Sequence, residues 1–429
     1  MASVGLIENK TASHRTPPSL SSYNGRAPSV SSKEVCIQDE DTGLSQHKPV
    51  TGHTSAHKPS LSKACSLAKQ LDGTLGNDVY ANKVPLFDTK EIVLEKKLGQ
   101  GVSGTVYAAH YCDSIAAVKV LQVHDRHHSR CASDELETLA TFRDHPHPGI
   151  LKVMGYGVKP GIGFGARNKP KAPQIWIASQ FHRFGTVYDL LNLAVKAGRK
   201  AVKSILTTPV LMGLCVDLLN ALDHFHSTSG RVHLDLKPEN VLISCDGHVV
   251  IGDFGWSRTL ESLKHCSLYV ACTPGYSGPE VQCVAGKNIG QGTDMYSVAV
   301  ILCQLLMCGS LPDRASKKCI EKAVQRYRVQ LKKLLAEGKI NASAHALIVK
   351  HIRSCATWQY PIPSGVNKHV RRLLRSMLLP TPQDRPTARE AADKLKDIAM
   401  REWKGWTPDS VRLNEPEWEQ VFTDIRNKT

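Results

Sequence analysis

The chain has 429 residues, 41% of them hydrophobic, and carries a net charge of +16 from 55 Lys and Arg against 39 Asp and Glu. That apolar content supports a sizeable core, which excludes a wholly disordered protein, and the length suits two or three domains or one large two-lobed unit. The sequence has no run of about 18 apolar residues, and Lys10 and His14 interrupt the N-terminus before a hydrophobic signal segment develops, so it reads as a soluble intracellular protein without a membrane span. The 13 Cys are odd in number, form no CxxC pair and often sit inside apolar runs, as Cys215, Cys303 and Cys308 do. They read as buried reduced thiols, with neither a disulfide framework nor a zinc site.

Residues 1–82 are rich in Ser, Pro and His, with too few clustered apolar side chains to offset the entropy of ordering, and are expected to be disordered. From Phe87 the texture becomes short and β-like: EIVLEKKLG, TVYAAHY and SIAAVKVL read as antiparallel strands. SDELETLATF, from Ser133 to Phe142, reads as a helix, and ILKVMGYG and QIWIASQF as two further strands. Beyond Gly185 the period changes to helical, most clearly in VLMGLCVDLLNALDHFH, where apolar residues recur every three or four positions over more than four turns. MYSVAVILCQLLMCG and the basic KKCIEKAVQRYRVQLKKLLAEG continue the pattern. The fold class is therefore α+β and bilobal: a small β-rich lobe, then a larger helical lobe. A folded unit over 83–400 and a C-terminal tail over 401–429 complete the organisation.

The positive charge is concentrated late: residues 312–372 hold 14 Lys and Arg against 3 Asp and Glu, whereas residues 1–80 hold 8 against 7. This stretch reads either as the solvated face of a surface helix or as a docking site for acidic partners. Only Tyr327 stands among the closely spaced charges of 314–339, fewer aromatic residues than a nucleic-acid stacking platform requires.

The motifs point to phosphate chemistry. LGQGVSGTVY places Gly99, Gly101 and Gly104 before a strand, not a helix, which favours a glycine-rich hairpin folded over nucleotide phosphates above a dinucleotide turn. An ordinary hairpin turn is the bland alternative. Lys119 follows on a strand among Ala and Val, where an ammonium is costly unless paired. Glu135 and Glu137 are the candidate partners, and Glu135 is chosen because Leu136, Leu139 and Phe142 lay an apolar face beside it. HLDLKPEN and IGDFGWS then supply Asp235, Lys237, Asn240 and Asp253. Hard oxygen donors from Asn240 and Asp253 suit magnesium, Asp235 is placed to orient an incoming hydroxyl, and Lys237 beside it can stabilise the migrating charge.

With these motifs in this order, the chain resembles the eukaryotic-type serine/threonine protein kinase superfamily over roughly Glu91 to Met400. The resemblance implies ATP with magnesium, or manganese in its place, as cofactors, and proteins as substrates. It implies that Leu98, Gly99, Gly101 and Gly104 cover ATP, that Lys119 pairs with Glu135, and that Val106, Ala117 and Leu242 sandwich adenine. Ser179 matches the gatekeeper position and Gln180, Phe181 and His182 the hinge. Asp235 looks like the catalytic base, with Asn240 and Asp253 as metal ligands. Glu280 is expected to pair with Arg385, and Asp294 to brace the catalytic loop. The pairing of Lys237 with Thr273 is similar to the serine/threonine branch, and DFGWS and FGTVYDLL resemble the Aurora group locally.

There are departures from the family pattern. Leu234 stands where the family usually has an Arg that binds an activation-loop phosphate, GPE stands for A-P-E, and 312–372 is a long basic insertion. A pseudokinase scaffold or a small-molecule kinase are the competing readings. Retention of Lys119, Asp235 and Asp253 weighs against the first, and the Thr273, Glu280 and Arg385 set against the second.

Overall fold

The computed structural model describes residues 84–428 apart from 102–103, 112, 125, 162–171, 266–272, 274, 279, 282–288, 309–331, 334, 339–340, 342–361, 363–365 and 380. The leader and most of the basic stretch thus lie outside the described residues.

The first lobe is a five-stranded antiparallel sheet. Its strands are β1 (Val93–Gly101), β2 (Gly104–Tyr111), β3 (Ser114–Gln122), β4 (Val153–Lys159) and β5 (Gln174–Gln180), in the spatial order β1-β2-β3-β5-β4. Alternation along β3 sends Ala116, Val118 and Val120 to a small cluster with Ala109, Trp176 and Phe87. Ala117 and Lys119 project from the opposite face, where Lys119 lies across from Val106. Helix α1 (Arg126–Asp144) follows β3 and buries Leu136, Leu139 and Phe142 in the main core. It begins well before the expected Ser133, because RHHSRCA has no apolar period even though Cys131 and Ala132 are buried. The expected strand from Ile150 starts only at Val153, and Ile150 instead bridges to Ile251 in the other lobe.

The second lobe is built on α4 (Thr208–Ser229), which follows α2 (Val187–Ala197) and α3 (Arg199–Ile205). Pro209 sits in the first turn of α4, and Gly230 ends it in a left-handed conformation, φ 62°. Its buried residues fall on every side, so it forms the axis against which α6 (Gln291–Met307) and α8 (Ala388–Glu402) pack, while α7 (Lys368–Met377) rests on those two. Two short ribbons lie at the top of this lobe. Strands β6 (Arg231–Val232) and β9 (Arg258–Thr259) form one, and β7 (Val241–Ile243) and β8 (Val249–Ile251) the other.

The C-terminal tail closes on the same lobe. Trp406 donates from Nε1 to the Pro209 carbonyl at 3.2 Å, and a capping box between Asn414 and Glu417 starts α9 (Glu415–Arg426). Trp418 and Phe422 pack against Phe184, with the two Phe rings stacked at 5.6 Å, and Trp418 is completely buried. Arg183 adds exposed ion pairs to Glu415 and Glu419. Deleting a buried Trp ring removes apolar contacts and leaves a cavity, whereas an exposed pair contributes little. Trp418→Ala should therefore destabilise the protein by about 3–5 kcal/mol in urea unfolding, with Arg183→Ala barely moving the midpoint.

Candidate active site

Three charged groups meet between the sheet, α1 and the segment after β8. Lys119 Nζ lies 2.8 and 2.7 Å from the two carboxylate oxygens of Glu135, and 2.7 Å from Asp253 Oδ1. Burial works against the Lys119 ammonium, but the carboxylates of Asp253 and Glu135 outweigh it and hold the group charged, above its ordinary range. The two carboxylates respond differently. Burial pushes Glu135 up, and Lys119 offsets this only in part. At Asp253 burial is overcome by Lys119, and the carboxyl is held below its usual range. Glu137 is half-exposed and faces Arg231 instead.

The backbone around Asp253 is tightly constrained. Asp253 itself is left-handed, φ 59°, and a Cβ on Gly255 would stand 3.2 Å from Glu135 Oε2 and 3.9 Å from Lys119 Nζ. Phe254, fully buried, stacks on Phe225 at 5.4 Å and lies 5.5 Å from His233, with Phe142 of α1 against both Phe rings. The aromatic stack thus ties α1, α4 and the loop after β6 to the segment that carries Asp253.

That loop, His233 to Asn240, holds the second group. Lys237 Nζ donates to Asp235 Oδ2 at 2.7 Å and to Thr273 Oγ1 at 3.1 Å, and the Thr273 hydroxyl donates to Asp235 Oδ1 at 2.5 Å. The Asn240 side-chain nitrogen donates to the Asp235 carbonyl at 2.8 Å, which leaves its oxygen as the donor for a cation. The Gly252 amide bonds the Asn240 carbonyl at 3.0 Å, bringing Asn240 beside the residue before Asp253. From below, the fully buried Asp294 accepts the backbone amides of His233 (2.8 Å) and Leu234 (2.9 Å) and lies 2.8 Å from His226 Nε2. Arg385 and Glu280 form a two-bond pair at 2.7 and 2.8 Å.

The remaining sequence candidates lie on β1, β2, β3, β5 and β7 and just after β5. Gly104 has φ 147°, and a Cβ there would sit 2.6 Å from the Val120 carbonyl oxygen, so only glycine fits. Gly99 and Gly101 face open space and Leu98 is exposed. Val106, Ala117 and Lys119 share one face of the sheet, while Leu242 lies half-buried on β7 in the other lobe. Ser179 donates to the Ala117 carbonyl at 3.2 Å, Gln180 is exposed, Phe181 half-buried and His182 buried. Burial lowers the His182 pKa, against a weaker opposing pull from Asp246.

The donor set fits a magnesium ion shared with phosphate oxygens, a hard cation that takes one or two protein oxygens and completes its shell from substrate and water. Two carboxylates share one ammonium at Lys119, leaving a net negative charge for such an ion to balance. Among the described residues no group of three or more His, Cys, Asp or Glu gathers to hold a metal without such help. Sequence reasoning did not find Arg231 and Arg258, whose guanidinium groups reach Asp134 and Glu137 of α1.

Comparison with known proteins finds protein kinases among the relatives. The serine/threonine-protein kinase MST20 of Pyricularia oryzae is 24% identical over 49% of this chain and 20% of its own length. The serine/threonine-protein kinase CTR1 of Arabidopsis thaliana is 26% identical over 68% and 32% respectively. Leaf rust 10 disease-resistance locus receptor-like protein kinase-like 1.1, also of Arabidopsis thaliana, is 26% identical over 76% and 48%. The chain thus spans between a fifth and a half of these relatives' lengths. The local Aurora likeness of DFGWS and FGTVYDLL is not carried by these matches. The family described as protein kinase domain matches residues 92–395, the stretch that contains both lobes and every charged group of the cleft, and the chain belongs to that family.

Proposed function

We propose that the chain is a serine/threonine protein kinase that transfers the γ-phosphate of ATP to Ser and Thr hydroxyls of protein substrates. The observation that carries this reading is Asp235: a buried carboxylate bound on one oxygen by Lys237 and on the other by the Thr273 hydroxyl, with Asn240 fastened to its backbone. Bound ATP supplies the transferable phosphoryl group, and magnesium, or manganese in its place, neutralises the phosphate charge. Asp253 and the side-chain oxygen of Asn240 hold the cation. Lys119, kept charged and aimed by Glu135, binds the α- and β-phosphates. Gly99, Gly101 and Gly104 let backbone amides approach the phosphates from above, and Leu98, Val106, Ala117 and Leu242 enclose the adenine, whose edge meets the backbone of Gln180 to His182. Asp235 orients the incoming hydroxyl and accepts its proton at a carboxylate oxygen, while Lys237 stabilises the charge that develops on the oxygens in transfer.

Incubation with magnesium, labelled ATP and a basic protein should give label on Ser or Thr. Asp235→Asn, Lys119→Met and Asp253→Ala should each lower transfer by more than about 100-fold, about 2.7 kcal/mol of transition-state stabilisation. A wild-type protein that neither retains nucleotide nor labels any polypeptide, with magnesium or manganese, overturns the reading.

Leu234 adds a regulatory corollary. It is buried with Val232 and with Leu263 of α5 (Leu260–His265), and Ile289 packs on the same cluster, so the activation segment is held here by apolar contact. Activity should then not require an activation-segment phosphate. Ala at Thr259, Ser262 and Ser267 with Phe at Tyr269 should retain transfer within about tenfold, 1.4 kcal/mol, and a larger loss rejects the idea.

The basic stretch 312–372 is read as a docking site for acidic partners or substrates. Substrate KM should rise steeply with salt, and neutralising Lys317, Lys318, Lys332 and Lys333 should flatten that dependence. An unchanged slope leaves a solvated surface helix as the description of this stretch.

A further inference from the structure

The Lys119 to Glu135 pair forms only while α1 lies against the cleft, so whatever fixes α1 fixes the pair. Asp134, Glu137 and Thr138 stand at i, i+3 and i+4 and share one face of the helix, about 100° around from Glu135. That face rests on two arginines from the β6 and β9 ribbon. Arg231 Nη1 lies 3.5 Å from Asp134 Oδ1 and donates to the Ser257 carbonyl at 3.3 Å, and its Nη2 meets Glu137 Oε2. Arg258 Nη1 lies 3.0 Å from Asp134 Oδ2 and bonds the carbonyls of Ser257 at 2.8 Å and Gly255 at 3.2 Å. Its Nη2 reaches Cys131 Sγ of α1 at 3.7 Å, and the hydroxyls of Thr138 and Ser257 are 2.9 Å apart. Arg231 and Arg258 are only 4% and 9% exposed.

Two buried guanidinium groups thus face two carboxylates, with the exposed Arg130 of α1 also 3.8 Å from Asp134, and the carboxylates reach the buried arginines only while α1 is seated. A guanidinium cannot shed its proton to escape burial. Rotating α1 to take Glu135 away from Lys119 would also take Asp134 and Glu137 off both arginines and leave two permanent buried charges with only the Ser257 and Gly255 carbonyls as partners, a costly arrangement. The ribbon that supplies the arginines is itself part of the site. Val232 pairs with Arg258, β6 runs directly into His233 to Asp235, and β9 leads out of Asp253 to Ser257.

We propose that Arg231 and Arg258 are positioning residues that clamp α1 to the loop segments bearing Asp235 and Asp253, so that the Lys119 to Glu135 pair stands without a bound partner or an added phosphate. The inference rests on the kinase reading of the cleft. It predicts an effect of the arginines that runs through Glu135, which a merely structural role does not.

The test is a functional double-mutant cycle in the full chain, with thermal melting recorded for every variant. Arg258→Met and Arg231→Met should each lower kcat/KM for ATP by about tenfold or more in the wild-type background, but by less than about twofold when Glu135→Gln is already present. Arg258→Lys should recover part of the loss. Equal losses in both backgrounds, or a melting shift with no kinetic change, overturn the clamp. If either Met variant fails to fold, Glu137→Gln strips Arg231 of its half-exposed partner, and its smaller loss should show the same dependence on Glu135. Should the wild type transfer no phosphate, the kinase reading fails by itself. Titration with magnesium ATP then runs the same cycle on nucleotide affinity, where equal losses in both backgrounds again overturn the clamp.

Discussion

The buried carboxylate of Asp294 sets the position of nearly everything in the cleft. It sits at the start of α6, wholly out of water, and takes two backbone amides of the loop after β6 together with the His226 ring. A charge in that position is tolerated only with such partners. The amides it needs are available only if the loop turns sharply at Leu234, which is held at φ 70°. A left-handed Leu costs about 1–3 kcal/mol, while hydrogen bonds to a charged group return about 1.5–3 kcal/mol each. The strained turn therefore persists, and it is what presents Asp235, Lys237 and Asn240 on one side of the loop.

The second constraint is the division of one ammonium between two acids. Lys119 reaches both Glu135 and Asp253, so the arrangement needs α1, β3 and the segment after β8 to be placed together. Gly255 permits this by lacking a Cβ beside the ions, and the Phe142, Phe225 and Phe254 stack supplies apolar contact between α1, α4 and the segment after β8. Aromatic packing of this kind is insensitive to charge state, so it keeps the elements together whichever carboxylate Lys119 favours. On the proposed reading Asp253 would hold the cation, and Lys119 would remain with Glu135 and the phosphates.

Much of this was legible in the sequence because it is encoded locally. The alternation around Lys119, the 3.6-residue period of α4 and the short polar runs around Asp235 and Asp253 each announce themselves within a dozen residues. Glu135 was separable from Glu137 because the apolar face beside it is also a local pattern. What stayed hidden depends on distant partners. Arg231 and Arg258 look like ordinary surface cations until β6 and β9 are paired, and only then does Cys131 of α1 gain Arg258 as a neighbour. The tail shows the same limit: nothing in the sequence near Trp418 says that Phe184 is its seat.

Leu234 and the arginine clamp bear on one physical question, whether the site is switched or standing. An arginine in the place of Leu234 would engage the activation segment only when a phosphate is present, so its contribution appears and disappears with that charge. A buried leucine contributes about 1.5–3 kcal/mol whenever the chain is folded. The proposed clamp on α1 has the same character, because its partners lie within the fold and it needs no incoming group. Leu234 and the proposed clamp therefore act in one direction: each is an interaction that the fold itself maintains. On the proposed reading, control of this kinase is then expected to act through access of substrate and nucleotide to a ready site. The elements positioned to influence such access are the glycine-rich hairpin, with Gly99 and Gly101 open to solvent, and the tail that packs on Phe184 just beyond the hinge.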